Sequence, residues 1–190
     1  GTEGILSSRK IMEANAKNDF THTIIENLLA TREAIINIET GERGFLLRAD
    51  ESYLAPYHEG KEAFQKSITK TKELTSHNAY VTERLNGIQE QYNLWINSVI
   101  DPLIQARRQV NQGQLTQQDF DKKLAQTNSK PMMEQIRRLT AEVEKEEFRL
   151  LAEDLSAATS FKSNSRLRSN GLFSWLWMKV IATSRSPRVT

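Results

Sequence analysis

The chain has 190 residues, 38% of them hydrophobic, with a formal net charge of +2, 8 glycines, 4 prolines and no cysteine. That length supports one domain with a real core. A chain poor in Gly and Pro but rich in Glu, Lys, Gln, Leu and Ala points to an all-α fold. Disulfides and thiolate metal sites are excluded, and no run of about 18 apolar residues is present to cross a membrane.

The first predicted helix runs from about residue 5 to about residue 47. Phe20, Ile24, Leu28, Ile35 and Ile38 share one face at helical spacing, and Ile25, Leu29 and Ile36 widen that stripe toward a bundle core. At 1.5 Å per residue such a helix is about 65 Å long, which suits an elongated bundle. Ala49, Asp50 and Glu51 form a turn, with Asp50 as the N-cap of the second helix. That helix covers about residues 51–75, with Tyr53, Tyr57, Phe64, Ile68 and Leu74 as its apolar face. Pro56 in its first turns implies a tight entry. Ser76, His77 and Asn78 make the next polar turn.

The third helix has the clearest period. Val81, Leu85, Ile88, Tyr92, Trp95 and Val99 alternate spacings of four and three, a heptad seam that Leu103, Ala106 and Val110 continue. Asp101-Pro102 interrupts the seam, and persistence of the pattern on both sides predicts a kink rather than a restart. Gly113 terminates this helix in the loop Asn111 to Leu115. Thr116 caps a short stretch to about Ala125, and Ser129-Lys130-Pro131 signals a further start. The fourth helix spans about residues 130–158, with Met132, Ile136, Leu139 and Val143 on one face and Phe148, Leu151 and Leu155 continuing with a shift. A bend at Pro131 would join it to 117–127. Four antiparallel helices with short loops make an up-down-up-down four-helix bundle, with both ends at one pole.

Residues 161–190 read differently. They hold six of the 26 basic residues (Lys162, Arg166, Arg168, Lys179, Arg185, Arg188) and none of the 24 acidic ones. Residues 1–160 therefore carry 20 basic against 24 acidic groups, a net of −4, which gives no electrostatic case for nucleic acid. The stretch Leu172 to Ala182 is apolar and aromatic but short and contains Lys179. This tail reads as disordered, as an interfacial segment, or as residues not native to the domain. The expected division is a helical domain over 1–160 and a basic, aromatic-containing tail over 161–190. The sequence begins at Gly1 without a signal peptide's basic start and apolar core.

Chemistry-bearing motifs are sparse. His22, His58 and His77 fall on three different segments with no metal-ligand spacing, so no metal and no cofactor is expected. Phosphate-binding loops and nucleophile elbows are missing, and no Glu-x-x-His pair of a di-iron bundle occurs. No enzyme activity is read here. What stands out is Gly41 and Gly44, three apart inside a long helix, where each glycine costs about 1 kcal/mol against alanine. Close helix packing is the expected reason. Glu39 and Arg43 flank them at the favourable i,i+4 order. With Tyr53 and Tyr57 across the turn, they form a candidate polar node, ligand-binding or structural.

The stretch Glu39-Thr40-Gly41-Glu42-Arg43-Gly44-Phe45-Leu46-Leu47, followed by Asp50-Glu51-Ser52-Tyr53-Leu54-Ala55-Pro56-Tyr57, resembles the signature of the third class of CHASE domains. The match is close over residues 39–57 and extends as helix lengths and patterning over roughly 5–160. The resemblance implies an extracytoplasmic sensory domain of a bacterial transmembrane receptor, set between two membrane helices that lie outside this chain. It implies a periplasmic or extracellular location and an unidentified small ligand or periplasmic partner. It further implies dimers in the full receptor, and relay through the first and fourth helices to a cytoplasmic histidine kinase, diguanylate cyclase or chemotaxis transducer. A histidine kinase is the first expectation. The alternative is a soluble helical scaffold or adaptor that binds protein partners along its helix faces.

Overall fold

The computed structural model describes residues 2–160. Helix α1 spans Thr2–Arg48. It buries Ile24, Leu28, Ala34, Ile35, Ile38 and Phe45 at spacings that keep one stripe inward. Leu29 and Ile36 are not part of that stripe: both are exposed, so the buried face is narrower than the sequence suggested. Ala49 ends α1 in the left-handed region at φ 59°, donating its N–H to the Phe45 carbonyl at 2.8 Å. Asn111 Nδ2 donates to the Ala49 carbonyl from across the bundle at 3.1 Å.

Asp50 then caps a single 3-10 turn, Glu51–Leu54, its carboxylate accepting from the Ser52 N–H at 2.9 Å. Helix α2, Ala55–Leu74, begins with Pro56 in its first turn, where a missing N–H costs nothing. The expected single second helix is thus a 3-10 turn followed by an α-helix, and Tyr53 on that turn is exposed rather than part of the apolar face. Asn78 accepts from the Val81 N–H at 3.2 Å and so caps α3, Ala79–Trp95.

The heptad seam of α3 is buried throughout, from Val81 to Trp95. Beyond it the chain does not break at Pro102. A π-turn, Ile96–Ile100, carries the backbone into α4, Asp101–Asn111, and the Asp101 N–H donates to the Ile96 carbonyl five residues back. The widened register absorbs the missing proline N–H inside a continuous rod. It also turns adjacent pairs inward: Trp95 and Ile96, Val99 and Ile100, Leu103 and Ile104 are all buried. Gly113 closes α4 at φ 71°, with the Gln114 N–H on the Gln109 carbonyl and the Gly113 N–H on the Val110 carbonyl.

Helix α5, Gln117–Gln126, is capped by Thr116 and packs on α4 through Phe120. It does not join α6, Lys130–Ser160, because Thr127 is extended at φ −82° and ψ 133°. Trp95 Nε1 reaches over to this connection and donates to Ser129 Oγ at 3.2 Å. Four helical rods therefore make the bundle: α1, α2, the α3–π–α4 rod and α6. Contact runs chiefly between α1 and α2 and between α3 and α6, with α1 also against α6. Lys17 Nζ lies 2.9 Å from Asp154 Oδ1, which sets the early turns of α1 beside the late turns of α6. The tail readings for residues 161–190 lie outside the described residues.

Ala49 holds a left-handed conformation without glycine, which costs an L-residue roughly 1–2 kcal/mol. Ala49→Gly is expected to stabilise the bundle by up to about 1 kcal/mol, less than the full strain because glycine also gains unfolded-state freedom. Chemical denaturation reads this directly; a destabilised variant would mean that the Ala49 methyl makes a packing contact worth more than the strain.

Candidate functional site

The distal end of the bundle is built around the glycines of α1 and α2. A Cβ at Gly41 would lie 2.5 Å from the Tyr57 backbone nitrogen, and one at Gly60 would lie 2.6 Å from the Ala34 carbonyl oxygen. Backbone therefore meets backbone on both sides of this interface. Gly44 differs, since its Cβ would first meet the Tyr53 ring at 2.9 Å, and that ring is half-exposed. Gly60 was not singled out from sequence. It lies alone in α2, without the paired spacing that marks Gly41 and Gly44.

Tyr57, fixed by its backbone contact with Gly41, sends its hydroxyl across to the start of α4. The hydroxyl donates to Asp101 Oδ1 at 2.6 Å and accepts from Lys61 Nζ at 3.0 Å. Lys61 Nζ is 3.9 Å from Asp101 Oδ2 and 5.0 Å from the Tyr57 ring centre. Burial, then the hydrogen bond and charge of Asp101, hold the Tyr57 phenol protonated well above its usual range. Tyr92 stands behind it, stacked on Phe64 with ring centres 3.5 Å apart. Burial first, with the charges of Tyr57 and Asp101, pushes Tyr92 up to about 12.

A second tie closes the tip. Arg108 of α4 grips Glu51 of the 3-10 turn with two hydrogen bonds, at 2.7 and 2.8 Å. This fork geometry holds the Glu51 carboxyl below its ordinary range. The guanidinium also lies 5.8 Å from the Phe45 ring centre.

The four node residues predicted from sequence are close along the chain but do not form one bonded cluster. Glu39 and Arg43 pair with each other at 2.7 Å on an exposed face of α1. Tyr53 lies against Gly44. Tyr57 bonds to Asp101 and Lys61, neither of which sequence reasoning had named as a site residue. Asp101 was legible only as the residue before a proline, and Lys61 only as the i+4 neighbour of Tyr57.

Two buried carboxylates complete the polar inventory. Glu42 sits between Gly41 and Arg43 on the inward side of α1, and Glu147 occupies the α6 seam between Val143 and Leu151. No hydrogen bond among the described residues reaches either carboxylate. Burial pushes Glu42 up to about 7, opposed by Arg43 and reinforced by Glu39. Burial likewise pushes Glu147 up to about 7, reinforced by Glu146. The signal for Glu147 was its place on a helical stripe: Ile136, Thr140, Val143, Glu147 and Leu151 follow at spacings of four, three, four and four. The predicted shift of the stripe to Phe148 and Leu155 bypassed it, and both of those are only partly buried.

Comparison with known proteins gives one match. A family model described as the CHASE3 domain matches residues 14–157. No curated protein and no solved structure matches.

The glycines give an ordered expectation. Gly41→Ala and Gly60→Ala each force backbone apart and should destabilise by at least about 1–3 kcal/mol. Gly44→Ala only displaces a half-exposed ring while gaining up to about 1 kcal/mol of helix propensity, so its net effect should be smaller than either. Denaturant titration of the three variants ranks them, and a Gly44 variant worse than the Gly41 variant would contradict the geometry.

Glu42 and Glu147 hold their protons in the folded chain up to about 7, against an ordinary 4.5. The folded state then binds more protons than the unfolded chain, so stability is greatest below the ordinary value and falls as pH rises through about 7. Glu42→Gln should raise the melting temperature at about pH 8 and flatten part of the fall between about pH 5 and 8, leaving the Glu147 share. An unchanged pH dependence in this variant would remove Glu42 from the titration.

Proposed function

The chain belongs to the CHASE3 domain family, an extracytoplasmic sensory domain of receptors, and from that premise we propose that it is the signal-input domain of a bacterial membrane receptor whose output is a cytoplasmic histidine kinase. The family match over residues 14–157 carries this reading. The geometry agrees with it. The Lys17–Asp154 pair brings the two helices that would lead toward a membrane side by side at one end. The Tyr57–Asp101–Lys61 cluster and the Glu51–Arg108 fork lie toward the other.

In this reading the chain performs no chemistry. A ligand or partner binding near the distal polar groups would favour one packing of the bundle over another. It can shift that equilibrium only by the difference in its affinity for the two. The signal would then leave through the relation of α1 to α6. Among the described residues no helix is long and apolar enough to cross a membrane, so the reading places the membrane-crossing segments in flanking sequence.

Residues 1–190 contain no cysteine, so one introduced among them can be read against the unmodified parent protein. In the parent protein, a single cysteine at exposed Gln105 should react with a membrane-impermeant maleimide in intact cells whose outer barrier has been opened. Labelling only after lysis of the inner membrane would place the domain inside the cell and remove the receptor reading, in favour of an internal helical scaffold.

A further inference from the structure

Helix α6 is rich in acids between Glu142 and Asp154, and one of them is turned inward. Glu147 is 4% exposed, on the stripe of buried Val143 and Leu151. The others have cations. Arg84 of α3 takes Glu142 at 2.7 Å. Arg32 and Lys17 of α1 take Glu144 and Asp154. Arg149, on α6 itself, takes Glu146 and Glu153. Arg84, Arg32 and Lys17 are thereby already paired, and no ion pair or hydrogen bond among the described residues reaches Glu147. Two histidines lie at this level: His22 on α1, 3.2 Å from Glu26, and His77 in the turn before α3, its ring 6.0 Å from that of Phe20. Neither is among the charges that act on Glu147. The one that does is its neighbour Glu146, which opposes ionisation.

A carboxylate in an apolar seam, with no cation and no donor, is costly when ionised and far less costly as the neutral acid. An aliphatic side chain would fill the same seam at any pH. The position along α6 gives the proton a consequence. Glu147 lies between the two ties that join α6 to α1, at Glu144 and at Asp154. On the α3 side, Asn78 and Arg84 act on Glu146, one residue away. Glu147 therefore sits where α6 meets both α1 and α3.

We propose that the stimulus this domain reads is the proton itself, received at Glu147: α6 packs closely on α1 and α3 while Glu147 is protonated, and this stretch of α6 shifts away from α1 when the proton leaves. The proposal deepens the receptor reading and rests on it for the outside medium whose pH is read; the switch rests on the seam alone. A proton is then a ligand with unequal affinity for two packings of one bundle. The sign follows from burial. The closed seam holds the proton more tightly than a hydrated carboxyl does, so it is favoured at low pH and loses that advantage as pH rises through about 7. The ion pairs on either side are partly exposed and oppose the shift weakly. Glu42 is buried too, but it lies 25 residues along α1 from Lys17, about 38 Å of helix away.

The test uses the full 190-residue chain, which has no cysteine of its own. Spin labels are placed on Ala16→Cys and Ala152→Cys, exposed positions on α1 and α6. Their separation is read from about pH 5.5 to about pH 8.5. The expected result is a reversible change from a short, narrow distance distribution to a longer, broader one, with its midpoint at about 7 and helicity retained. Glu147→Gln and Glu147→Met should each hold the low-pH distribution at about pH 8.5; the methionine keeps the bulk and needs no hydrogen bond. Glu42→Gln should leave the midpoint in place. Carbon-13 titration of the Glu147 carboxyl, without spin labels, should give the same midpoint. A carboxyl that titrates at the ordinary 4.5 overturns the proposal. So does a separation that ignores pH, a change that persists in both Glu147 variants, or a loss of helicity in place of a change in distance. Cytoplasmic maleimide labelling with the transition intact would remove the receptor reading and leave the switch, whereas a domain labelled from outside whose separation ignores pH loses the switch alone.

Discussion

The contact on which the rest depends is backbone against backbone between α1 and α2. At Gly41 and Gly60 there is no room for a single methyl group: the atoms it would meet are the Tyr57 nitrogen and the Ala34 carbonyl, neither of which can turn aside. Two helices held this near have their relative height fixed. That height decides where the Tyr57 hydroxyl points, and it points at Asp101. Asp101 in turn stands at the first turn of α4, directly after the π-turn. A glycine contact between the first two helices is thereby coupled to the irregular turn of the third rod through one phenol. Between them the Thr31 and Ser67 hydroxyls, 2.7 Å apart and buried, tie α1 to α2 again one level lower.

Much of this was legible in the sequence, for reasons that differ by element. The α3 seam was legible because six apolar side chains repeat in strict heptad spacing and every one of them is buried. The Asp50, Thr116 and Gly113 boundaries rest on local chemistry that tertiary structure rarely overrides: a side-chain oxygen for an N–H, and a missing Cβ for a positive φ. The glycine pair of α1 stood out because glycine is unfavourable inside a helix unless something needs the space. Gly60 did not, since a lone glycine between His58 and Lys61 carries no pattern.

The misreadings share one cause: periodicity counts apolar residues but does not say how many faces they serve. Leu29 and Ile36 look like core because they are apolar at helical spacing, yet they lie outside. Glu42 and Glu147 look like surface because they are charged, yet they lie inside. Across Asp101-Pro102 the helix continues rather than restarts, as its apolar pattern indicated, but through a π-turn that periodicity does not announce. The π-turn shifts the hydrogen-bonding register, so the rod continues without the hydrogen bond that proline removes. The distal cluster was half-read for a further reason. Tyr57 was in view, but Asp101 is 44 residues away along the chain, and only the fold brings it within 2.6 Å.

The exposed aliphatics and the buried carboxylates also bear on how such a bundle could respond to anything outside it. A core closed entirely by apolar contacts has one best packing, and departures from it cost steeply. Here the α1–α2 pair is rigid, because its interface is backbone on backbone. The α6 seam carries Glu147 and Thr140 in place of aliphatics. Lys17–Asp154 and Arg32–Glu144 tie α1 to α6 through charged side chains at the surface, contacts of a kind that are individually weak and yield to modest forces. The α1–α2 contact is thus fixed by backbone against backbone, and the α1–α6 contact by side chains.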